Sequence, residues 1–126
     1  MPIIAIPSKE DGGLNDFLNL RFGRCENITF VSIENNDIKK VKVIPIYITE
    51  AIGNLGIHLA EIIAQNNASV VIVKYIGHKA FQFLRSHNIR IFQASEEKLT
   101  IKQCIDLFIK KKLIEATESN AHLIYE

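Results

Sequence analysis

The sequence predicts an α/β protein built on a five-stranded mixed sheet, with elements in the order β-β-β-α-β-α-β-α. Three observations carry this. Two β-rich segments, residues 27–34 and the stretch from Ile38, are joined by the short polar run "ENND", as in an antiparallel hairpin. Downstream, short apolar runs alternate with segments whose apolar residues recur at helical spacing. Finally, a length of 126 residues at 48% hydrophobic suits one globular core, so residues 1–126 are expected to form a single domain.

The first strand is "PIIAIP", Pro2 to Pro7, a continuous apolar run bracketed by prolines as a buried central strand would be. A long polar, glycine-bearing loop, "SKEDGGLNDFLNLRFGRC", follows. Asn27 to Glu34 places Ile28, Phe30 and Ser32 on one face and Thr29, Val31 and Ile33 on the other, rich in β-branched and aromatic residues. The third strand contains Pro45, which lacks a ladder donor and therefore belongs at an edge or a bulge.

From Ala51 to Ala64, Ile52, Leu55, Leu59, Ile62 and Ile63 repeat at helical spacing. "SVVIVKYIG", Ser69 to Gly77, reads as a buried strand. "HKAFQFLRSHN" is a helix with Ala80, Phe81 and Leu84 inward, and "IRIFQ" a short strand. The last helix opens at Thr100, where "TIKQ" has the form of a capping box with Gln103, and Ile101, Cys104, Ile105 and Phe108 make its apolar stripe.

Right-handed crossovers make strands one, three, four and five parallel, with strand two opposed. Ligands of open α/β sheets bind outside the carboxyl ends of the strands. The loops carrying Gly23, Gly53, Gly56 and Gly77 should therefore meet at that edge.

Composition narrows the function. With 15 Lys+Arg against 14 Asp+Glu, the chain lacks the basic footprint of a nucleic-acid binder. No apolar run approaches the roughly 18 residues of a membrane span. The N-terminus reads as a strand and not as a signal peptide, and two distant cysteines suit a reduced, cytoplasmic setting.

Cys25 is the sharpest candidate: either a thiolate ligand for metal, aided by Arg24 beside it, or a small apolar side chain at the start of strand two. Arg24 either clamps an anion or forms a local ion pair. Gly53 and Gly56, at the start of the first helix, either let a ligand approach the backbone or allow tight packing. Gly77 and His78 stand where a strand gives way to a helix, so His78 is either a ligand and hydrogen-bond donor or an exposed residue of the turn. A serine–histidine–acid pattern, zinc-ligand spacing and a Gly-Lys-Ser/Thr loop are all missing, so a non-enzymatic binding protein is expected.

Four features in register then suggest a family. "FGR" (Phe22–Arg24) leads into a strand, and Gly53, Gly56 and Ile57 form a Gly-x-x-Gly-Ile. A strand ends in Ile76–Gly77 with Ala80–Phe81 shortly after, and "TIKQCIDLF" is followed by "KLIEAT". In this order the chain, from Pro2 to about Thr117, resembles the dinitrogenase iron-molybdenum cofactor biosynthesis family. The resemblance implies a ribonuclease-H-like three-layer fold. It also implies a non-enzymatic role in carrying an iron–sulfur or iron–molybdenum cluster or its precursor, with a cluster-donor or acceptor protein as partner, the chain itself being a monomer or homodimer. Members often carry a histidine directly before "FG", where this chain has Arg21. That departure motivates an alternative: a small-anion-sensing or protein-interaction domain on the same fold.

Overall fold

Asn35 and Asn36 both adopt left-handed φ, 53° and 65°. Such a two-residue turn matches the twist of the strands it joins. It connects β2 (Asn27–Glu34) to β3 (Asp37–Pro45), so the hairpin expected from "ENND" forms. A computed structural model describes residues 2–46 and 55–120. Along the chain follow β1 (Ile3–Ser8) before the hairpin and, after it, α1 (Leu55–Gln65), β4 (Val70–Val73), α2 (His78–Ser86), β5 (Arg90–Gln93), α3 (Ile101–Ile109) and β6 (Ile114–Glu115). The start of the predicted first helix, residues 51–54 with Gly53, lies outside the described residues.

The sheet runs β3-β2-β1-β4-β5-β6. β1 pairs antiparallel with β2, from Ile3 opposite Ser32 to Ser8 opposite Asn27, and parallel with β4. β4 and β5 are parallel. The expected directions of strands one to five therefore hold, and Pro45 ends an edge strand. The expected count of five does not hold, because the sheet has six strands. β6 adds antiparallel to β5, with Phe92 opposite Glu115 and Gln93 opposite Ile114. Two residues, one an exposed isoleucine and one a glutamate, carry no alternation from which a strand can be read. β4 is also shorter than the apolar run around it: beyond Val73, Tyr75 keeps only an isolated parallel bridge to Arg21.

Alternation along the strands divides the core between two faces. Ala5, Ile28, Phe30, Val71, Val73 and Ile91 pack with Leu59 and Ile63 of α1 and Ala80 and Leu84 of α2. Ile4, Ile6, Val31, Val70, Ile72 and Phe92 pack with Ile101, Cys104 and Ile105 of α3. Helices thus cover both faces, which is why β4 is apolar at every position. The capping box forms as expected: Thr100 Oγ1 accepts from the Gln103 amide at 3.1 Å, and Gln103 Oε1 accepts from the Thr100 amide at 2.9 Å.

The long first loop is pinned at several points. Asp16 accepts from the amides of Glu10 and Gly12, both at 2.8 Å, and of Phe17 at 2.7 Å. Leu18 is buried, and its amide donates to Leu99 O at 2.9 Å. These bonds tie the loop to the approach of α3, and they aim residues 17–25 across the carboxyl ends of the strands.

Candidate functional site

The loop reaches β4 through a short turn, Phe22–Arg24. Arg21 bridges Tyr75, and the Phe22 amide donates to Tyr75 O at 3.4 Å, with the Phe22 ring buried beneath. Gly23 then meets the start of α1: a Cβ placed on it would lie 3.6 Å from Gly56 N and 3.8 Å from Gly56 Cα. Gly56 in turn faces α2, since a Cβ there would lie 3.3 Å from Ala80 Cβ. Gly56 is therefore a close-packing glycine that lets α1 rest on α2. Gly77 caps α2 with extended backbone, and His78, the first helical residue, is exposed. Gly23, Gly56 and the Gly77–His78 turn thus lie along one edge, while Gly53 is outside the described residues.

Arg24 is exposed at this edge. Cys25 points the other way, fully buried in the apolar cluster that includes Phe22, Leu59 and Ile76. Burial pushes its thiol up to about 12, so it stays protonated at neutral pH. Cys104 is equally buried in the opposite core, and burial pushes it up to about 12 as well. The expectation that Cys25 ligates a metal therefore meets an enclosed thiol, not an open thiolate. Among the described residues, no three His, Cys, Asp or Glu side chains converge as a metal site.

Two features of this edge escape a reading of the sequence. The first is an open groove of about 350 Å³, lined by Lys9, Phe17, Leu18, Asn19, Leu20, Arg21, Glu97 and Lys98. Three cations, Lys9, Arg21 and Lys98, face one acid, and Phe17 shows 44% of its surface. Among the described residues none of the three cations is held in an ion pair. Lys9 follows β1, Arg21 precedes the Phe22 turn and Lys98 precedes α3, so their proximity is tertiary and forms no motif. The only signal in the sequence was that each lies just beyond a strand end or in the loop between strands.

The second is Asn120, a buried side chain far along the chain. Its Oδ1 accepts from the Ile76 amide at 2.8 Å, and its Nδ2 donates to Lys74 O at 2.8 Å. Its own amide donates to Ile76 O at 3.1 Å. Asn120 so replaces a strand partner for residues 74–76, fixing the path into Gly77 and His78. Lys74 Nζ donates to Ser95 O at 3.0 Å, linking the loops after β4 and β5.

Comparison with known proteins agrees with this architecture. The family model described as dinitrogenase iron-molybdenum cofactor matches residues 1–111. The chain is 33% identical over 99 residues to an uncharacterised protein of Methanocaldococcus jannaschii, covering 79% of this chain and 82% of that one. Among solved structures it is similar to the apo form of the orange protein from Desulfovibrio gigas, with a TM-score of 0.81, 26% identity and coverage of 95% of this chain and 97% of that one. It is also similar to a Thermotoga protein provisionally described as NifB, with a TM-score of 0.77, 25% identity and the same two coverages, 95% and 97%. β6 and Asn120 lie beyond the matched residues.

Proposed function

Because this chain belongs to the dinitrogenase iron-molybdenum cofactor family, we propose that it is a non-enzymatic carrier that receives and passes on an anionic metal–sulfur cofactor or its precursor. The observation that carries this is the groove of Lys9, Arg21 and Lys98 at the carboxyl edge of the sheet. Metal–sulfur clusters are commonly anionic, and their surface sulfurs accept hydrogen bonds. Three cations, two from the long first loop and one from the loop before α3, attract such a cargo from solution, and the exposed Phe17 ring gives its less polar surface a place to rest. Arg24 and the Gly77–His78 turn extend the same edge.

In this reading the cargo is held by charge and hydrogen bonds, which suits a protein that must release it. Cys25 lines no part of that groove and is buried instead in the apolar cluster with Phe22. For Cys25 to ligate metal directly, the Phe22–Arg24 turn must lift and the thiol must lose a proton that burial retains. A reduced cytoplasmic compartment keeps both cysteines as thiols, and a donor or acceptor protein supplies or takes the cargo.

Anaerobic titration with iron and sulfide, or with a preformed anionic iron–sulfur cluster, tests the proposal. Charge-transfer absorbance should appear in the bound protein, and affinity should fall steeply as salt rises from about 0.05 M to 0.5 M, where screening shortens the Debye length several-fold. Absence of absorbance, together with thermal stabilisation by phosphate or carboxylates that depends on Arg21 or Arg24, would favour the small-anion sensor instead.

A further inference from the structure

β3 closes one side of the sheet: its inner edge pairs with β2, and among the described residues no strand pairs with its outer edge. The strand is nine residues long and exposed along most of its length. Its register against β2 sets Lys42 opposite Phe30 and Lys40 opposite Ser32. On that face the two lysines border a shallow groove of about 140 Å³ with Ile3 and Asn66. The other face presents Val41 and Val43, which are 37% and 36% exposed.

We propose that this edge receives, by strand addition, an extended segment of a partner protein in which acidic and apolar residues alternate. Charge complementarity selects the occupant. Acidic side chains two residues apart fall beside Lys40 and Lys42, and the apolar residues between them fall beside Val41 and Val43. A second copy of this chain is the wrong occupant. Antiparallel pairing of two β3 strands about Val41 puts Lys40 opposite Lys42 twice, and parallel pairing stacks each lysine on its twin. Lysines on a free edge guard against such self-pairing, and the same charges admit an acidic strand. Pro45 has no amide to donate, so the pairing window ends before it. The proposal is independent of the carrier function, since no residue of β3 lines the groove.

The test is fluorescence anisotropy of the full chain with a labelled nine-residue peptide that alternates glutamate and valine, alongside amide chemical-shift mapping. Binding should be saturable, weaken with salt, and shift amides within residues 37–45. A peptide of the same composition with its glutamates and valines in separate blocks should bind about tenfold more weakly or worse. The Lys40→Glu/Lys42→Glu variant, shown folded by its spectrum, should lose the glutamate–valine peptide and gain one alternating lysine and valine. Equal binding of the alternating and blocked peptides overturns the proposal, and so does undiminished binding by the double variant. Sedimentation showing a wild-type dimer that Val41→Lys dissolves would assign the edge to a second copy and also overturn it.

Discussion

At neutral pH the Cys25 and Cys104 thiols keep their protons, because burial pushes both up to about 12 from an ordinary value of 9.0. The sign of the linkage follows. Between those values the folded chain binds more protons than the unfolded chain, so stability is complete below pH 9.0 and falls as the pH rises toward about 12. The slope approaches roughly 1.4 kcal/mol per pH unit for each thiol. Urea midpoints followed upward through this window should fall in the wild type and fall less in the Cys25→Ala/Cys104→Ala variant. An equal fall would place the thiols in contact with solvent. At this scale the sequence showed which residue types matter but not which way they face. Cys25 beside Arg24 reads as core or, less readily, as a ligand, and in the fold its side chain is buried in the cluster that holds Phe22, Leu59 and Ile76. Gly56 was readable as a packing glycine, whereas its meeting with Gly23 joins segments that the sequence holds far apart.

Among the elements, α3 was legible because its start is a local code. Thr100 and Gln103 satisfy each other within one turn, and the apolar stripe follows directly. Thr100→Ala should therefore cost about 1 kcal/mol. In a domain of this size that corresponds to a fall of about 4 °C in Tm. A loss beyond the range of a single cap would mean that Thr100 also supports the Phe17 bridge beside it. The tail was not legible. Asn120 reaches Ile76 and Lys74 across separations of 44 and 46 residues, and β6 is too short to show a pattern. Asn120→Ala leaves the Ile76 amide buried without its acceptor, a loss of about 1–3 kcal/mol. Hydrogen exchange at Ile76 should accelerate well beyond that in β1. Uniform acceleration across the sheet would show that the tail supports the whole fold and not this turn alone.

For the molecule as a whole, the topology was legible because a hairpin followed by alternating strands and helices leaves few right-handed arrangements. From it the convergence of the loops at the carboxyl edge followed before any side chain was placed. The electrostatics of that edge did not follow. A net charge of +1 conceals a groove in which Lys9, Arg21 and Lys98 gather against Glu97. Arg21, at the head of the Phe22 turn, is part of that cation cluster. The central claim is that these cations, and not the Cys25 thiol, hold an anionic metal–sulfur cargo. It is tested most directly by anaerobic titration of a preformed anionic iron–sulfur cluster into two variants side by side, with folding of each confirmed by its thermal melt. Cys25→Ala should bind with the affinity of the wild type, and Lys9→Ala/Arg21→Ala/Lys98→Ala should lose binding by tenfold or more, about 1.4 kcal/mol at the least. Loss of binding in Cys25→Ala with retention in the triple variant would contradict the account and return the site to the cysteine.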